Sequence, residues 1–116
     1  MEKIFLGVTG GMFIVIAVVL WSGISMAEVD KGKQLYISKC QLCHGIKGNG
    51  NGTAAAFLNS KPADFTDPKF WEKGDEKKMA EAIENGKGEM PSFDLKPEEM
   101  KALIDYLTNS FRPQTK

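Results

Sequence analysis

The sequence predicts a small all-α domain, and three observations predict it. Apolar residues recur at helical spacing in stretches near the start, the middle and the end of residues 28–116. No run alternates apolar and polar residues as a half-buried strand would. The glycines and prolines cluster between the helical stretches, where they punctuate loops.

Residues 1–27 form a separate segment. Lys3 precedes a run from Ile4 to Ala27 with no charged residue, followed by Glu28-Val29-Asp30-Lys31, which is the order of a secretory signal. Ser25-Met26-Ala27 offers small residues at a cleavage position, so removal after Ala27 is the first expectation. The uncharged run is also long enough to cross a bilayer, which keeps an uncleaved N-terminal anchor as the alternative. Gly7, Gly10, Gly11 and Gly23 fit either role. Both readings place residues 28–116 outside the cytoplasm as one domain with one core.

Asp30 to Cys43 reads as the first helix, with Asp30 as its N-cap and Val29, Leu35, Tyr36, Ile37 and Leu42 as an apolar side around Gly32. It ends in Cys40-Gln41-Leu42-Cys43-His44, the spacing of a c-type haem attachment site. Thiols at i and i+3 share one side of a helical turn and can both add to the haem vinyl groups, while the next residue aims its imidazole at iron. Cys40 and Cys43 are the expected thioether anchors and His44 the proximal ligand. A closed zinc site needs more donors than two cysteines and one histidine. A thioredoxin-like dithiol belongs at a strand-to-helix junction, and a Cys40–Cys43 disulfide would close too small a loop to stabilise much.

Gly45 to Gly52, with Asn49 and Asn51, is too permissive for regular structure and reads as a loop. No Gly-Lys-Ser/Thr follows, so it is not a phosphate-binding loop. Thr53 to Asn59 is expected to form a short helix through Ala54, Ala55, Ala56, Phe57 and Leu58. Lys61 to Pro68 is extended, because Pro62 and Pro68 forbid a regular helix there. Pro68 opens a helical turn through Phe70 and Trp71, capped by Asp67, and those aromatics are expected to pack inward. Asp75 to Glu84 is amphipathic, with Asp75 as cap, Met79, Ala80, Ala82 and Ile83 inward and Asn85-Gly86 as stop. Gly86 to Phe93 is a second glycine-punctuated loop. Lys96 to Phe111 is the last helix, with Pro97 in its first turn and Met100, Leu103, Ile104, Leu107 and Phe111 at helical spacing.

His44 is the only histidine, so a second histidine ligand from this chain is excluded. The sixth iron position falls to methionine, lysine, a terminal amine, water or nothing. Met1, Met12 and Met26 lie in the export segment. Met79 and Met100 fall on apolar helix faces, where methionine ordinarily fills core gaps. Met90 lies in a loop framed by Gly88 and Pro91, which can present a thioether inward, and is the first choice, with Met79 its main competitor.

From Asp30 to Phe111 the chain resembles a class I c-type cytochrome. The resemblance rests on Cys40, Cys43 and His44, on Gly88-Glu89-Met90-Pro91, and on Gly32 and Tyr36 in the first helix with Leu103 and Tyr106 in the last. It implies a small cytochrome c-like domain wrapped around one covalently bound haem, with crossing terminal helices, His44 and Met90 as axial ligands, and electron transfer without catalysis. It also implies a proline carbonyl that orients the histidine, here Pro62, and an exposed haem edge where Lys47, Lys61 and Lys87 could serve docking to redox partner proteins.

The expected function is a one-electron carrier of the periplasmic or other extracytoplasmic space. A membrane-anchored subunit of a larger oxidoreductase is the alternative, supported by the uncharged residues 4–27 as a possible membrane contact. A haem-based gas sensor would need a labile iron, and Met90 argues against it. Fifteen basic residues balance fifteen acidic ones, so there is no basic footprint for nucleic acid. The scattered Asp and Glu residues form no catalytic constellation.

Overall fold

Two helices far apart in the chain make the most extensive contact of the fold: α1, Met26–Lys39, lies across α5, Pro97–Phe111. The structure is a computed structural model that describes residues 26–115. Gly32 allows the crossing. A side-chain carbon there would run into the Ala102 carbonyl and sit 2.8 Å from the Tyr106 Cβ, so only a glycine lets the two backbones approach this closely. Tyr36 and Leu103, each 1% exposed, fill the centre. Tyr36 packs its ring against Tyr106 and Phe111 at 5.6 and 5.1 Å between centroids. These are the residues at which the resemblance placed the helix crossing.

The first helix departs from expectation at both ends. Asp30 is no cap; it lies inside α1 and accepts a hydrogen bond from Gln34 Nε2 at 3.1 Å. Met26 and Ala27 are good helix formers, and Glu28 suits a first turn, so nothing stops the helix at Asp30. At the other end the helix breaks at Cys40, and a separate turn, α2, covers Gln41–His44. The expected apolar side is also narrower. Leu35 and Tyr36 are buried, but Val29 and Ile37 are 48% and 49% exposed, because α5 covers one face of α1, and Leu42, on α2, is 64% exposed.

The remaining helices follow their caps. Asp67 accepts from the Lys69 amide at 3.0 Å to open α3, Pro68–Lys73. Asp75 accepts from the Lys78 amide at 2.8 Å to open α4, Glu76–Asn85. Glu99 accepts from the Lys96 amide at 3.0 Å at the start of α5. Met79 and Ile83 of α4 join Leu35, Phe65, Ile104 and Leu107 in one core, with Phe70 and Trp71 packed against it. Trp71 Nε1 donates to the Phe65 carbonyl at 2.8 Å.

The short helix expected over Thr53–Asn59 is only a 3-10 turn, Ala55–Phe57, with Phe57 87% exposed. The Asn59 and Ser60 amides are taken by the Glu89 carboxylate, so the chain is drawn out of helix before a second turn can form. Among the described residues there is no β-strand, only an isolated bridge between Lys87 and Met90. The fold is all-α. None of the described helices is long and apolar enough to cross a membrane. Of residues 1–27, expected to be a signal or anchor, 1–25 lie outside the described part, while Met26 and Ala27 lie in α1.

Candidate functional site

The Cys40 carbonyl accepts from the amides of both Cys43 and His44, at 3.2 and 2.9 Å, and this single tight turn sets the three motif side chains on one element. The junction is held from below. The buried Tyr36 hydroxyl donates to the Gly45 carbonyl at 2.6 Å, tying the middle of α1 to the residue after His44. Burial of this phenol, which gives its proton to a carbonyl, pushes its pKa far above the ordinary tyrosine range.

Both cysteines are unpaired thiols, Cys40 buried and Cys43 half-buried. Burial pushes Cys40 up to about 11, against a smaller opposing pull from Lys39. A reactive redox thiol is shifted the other way, toward a thiolate available at neutral pH.

His44 is 8% exposed, and its Nδ1 lies 3.1 Å from the Ala63 carbonyl. A carbonyl only accepts, so Nδ1 carries the proton and Nε2 keeps its lone pair. Burial lowers the pKa of the ring, outweighing the Ala63 bond, and keeps the imidazole neutral. Phe65 stacks on the ring at 4.7 Å with a 19° interplanar angle, which fixes its tilt.

The orienting carbonyl is therefore that of Ala63, not of Pro62. The Phe65 amide donates to the Gly48 carbonyl at 2.7 Å and sets the register of this extended segment. The Ala63 carbonyl thus meets the imidazole, while the Pro62 carbonyl crowds Gly50, where a side-chain carbon would come within 2.5 Å of its oxygen.

Met90 is half-buried and packs against the same core that holds Cys40 and Phe65. It sits on a tight reversal in which Lys87 and Met90 exchange both backbone hydrogen bonds at 3.0 Å. Gly88, at φ +58°, supplies the left-handed residue after Lys87 that such a turn requires. Met79 is buried within the core on α4, and Met100 lies half-buried against it. Lys47, Lys61 and Lys87 are all exposed.

One residue escaped sequence reasoning. The Glu89 carboxylate accepts from the Asn59 amide at 2.9 Å, from Asn59 Nδ2 at 2.9 Å and from the Ser60 amide at 3.3 Å. Its partners lie some thirty residues upstream, and no local pattern announces them.

Two unpaired thiols on one turn and one neutral imidazole with a free Nε2 form a donor set that fits a macrocycle held by two thioethers and one axial nitrogen. Among the described residues no cluster of three or more His, Cys, Asp and Glu side chains could hold a metal ion by itself. Residues 27–107 match the family described as cytochrome C oxidase, cbb3-type, subunit III. Among curated proteins, none matches the chain.

Proposed function

Because the chain belongs to the cytochrome c oxidase, cbb3-type, subunit III family, it carries a covalently bound c-type haem, and we propose that it is a one-electron carrier with His44 and Met90 as axial ligands. In this reading Cys40 and Cys43 supply the two thioethers. The haem contributes one-electron ferric/ferrous chemistry when bound.

The chain's own residues do the rest. Tyr36, through Gly45, fixes the turn that carries His44, and Ala63 and Phe65 fix the imidazole's tautomer and tilt. Met90 offers a thioether, a softer donor than imidazole, which raises the reduction potential relative to two histidines. With Met90 holding the haem opposite His44, no position would remain for a substrate or gas. The observation that carries the proposal is His44: buried, neutral, and held by Ala63 with Nε2 free.

The extracytoplasmic space is the natural location, since the family is one of c-type cytochromes and residues 4–27 carry no charge. A second reading, a fixed subunit of an oxidase complex, is favoured by the family match itself. In either case the partners are redox proteins.

Mass spectrometry of the purified protein and its peptides tests the proposal, with carbon monoxide titration of the reduced form beside it. One haem should be found on the peptide containing Cys40 and Cys43, and CO should bind poorly at neutral pH. A haem-free native protein with a Cys40–Cys43 disulfide, or rapid stoichiometric CO binding, would overturn it.

A further inference from the structure

We infer that Glu89 is a positioning residue, a latch that holds the Met90 loop closed against the segment supporting His44; this rests on Met90 being the distal ligand.

Both ends of the loop are rooted on one element. The Gly86 amide donates to the Ala82 carbonyl at 2.9 Å, and the Phe93 amide to the Ile83 carbonyl at 2.8 Å, so the loop leaves and rejoins the last turns of α4. Between these roots the Lys87–Met90 reversal is held by its own two bonds. Such a unit can pivot about its root unless its tip is tied elsewhere. Glu89 is at the tip. Among the described residues, every hydrogen bond from residues 87–91 to a partner outside that reversal runs through the Glu89 carboxylate.

The far side of the tie explains what it is for. Asn59 and Ser60 open the extended segment that continues to Ala63, whose carbonyl holds His44, and to Phe65, which stacks on it. One carboxylate thus joins the support of the proximal imidazole to the carrier of the distal thioether. Two consecutive backbone amides and one side-chain amide converge on it, a charge-assisted arrangement stronger than a neutral acceptor would make. Glu89 is itself exposed, so water competes for these bonds and the tie is reversible. In the haem-loaded protein such a latch would hold the Met90 thioether in place.

The test is the rate at which imidazole enters the ferric holoprotein, compared among wild type, Glu89→Ala, Glu89→Gln and Met90→Ala, together with amide exchange at Asn59 and Ser60. Glu89→Ala, which removes all three bonds, should admit imidazole about tenfold faster, the factor expected for one bond to a charged group once exposure to water discounts the others. Its Asn59 and Ser60 amides should exchange faster as well. Glu89→Gln, which keeps the volume and one acceptor oxygen, should show a smaller increase and serves if the alanine variant does not fold. Met90→Ala should admit imidazole faster than any of them. If both Glu89 variants match wild type while Met90→Ala is accelerated, the latch is wrong and the ligand assignment stands. If Met90→Ala itself matches wild type, the ligand assignment fails and takes the latch with it.

Discussion

A single hydroxyl illustrates how this site is built from residues. Tyr36 is buried to 1% and spends its only polar group on the Gly45 carbonyl, itself buried. Tyr36→Phe keeps the ring and leaves that carbonyl without its partner, which should cost about 1–3 kcal/mol. Denaturant unfolding of the holoprotein measures it, and an unchanged midpoint would mean that the bond does not hold the turn. At this scale the motif was fully legible, because Cys40, Cys43 and His44 are defined by spacing along the chain. The partner of His44 was not. Whether Pro62 or Ala63 faces the ring depends on a register set by the bond between Phe65 and Gly48, which spacing does not encode. Glu89 was hidden for a related reason: its role exists only once two distant loops meet.

The elements were legible where they carry their own stop and start signals. Asp67 and Asp75 each satisfy the backbone amide that their positions promised, and α3 and α4 begin accordingly, while α5 opens at Pro97 with Glu99 accepting from the Lys96 amide. The first helix was misread because Asp30 resembles a cap but follows residues that continue the helix, and because the number of faces α1 buries is decided by how many helices it meets. Glu99 also pairs with Lys31 of α1 at 3.4 Å, so it serves both its own helix and the crossing. The Lys96 amide, with Lys31 helping, holds its carboxyl below the ordinary glutamate value of 4.5. A depressed folded-state pKa contributes stability that is complete above the unfolded value and is lost as pH falls through the folded one. The thermal midpoint of Glu99→Gln should therefore lie below wild type at neutral pH and converge with it in strong acid. A gap that stays constant across that range would show that the charge contributes nothing. Glu99 is solvent-exposed enough that the gap should be small.

For the molecule as a whole, the chain is short enough that one core must serve both stability and function. That core contains Cys40, the phenylalanine that stacks on His44, and the contact surface of Met90, while α1 and α5 close it from one side. The all-α class was readable from periodicity, and the family match over residues 27–107 agrees with it. What periodicity could not decide was which methionine is placed to reach the proposed haem, since a half-buried Met90 in a loop and a buried Met79 on a helix both touch the same core. The ferric absorption spectrum of Met90→Ala beside Met79→Ala decides it most directly. With Met90 as ligand, Met90→Ala loses the weak near-infrared band of an iron–thioether bond, while Met79→Ala keeps that band and loses about 2–5 kcal/mol of stability. A Met79→Ala protein without the band, beside a Met90→Ala protein that retains it, would contradict the assignment.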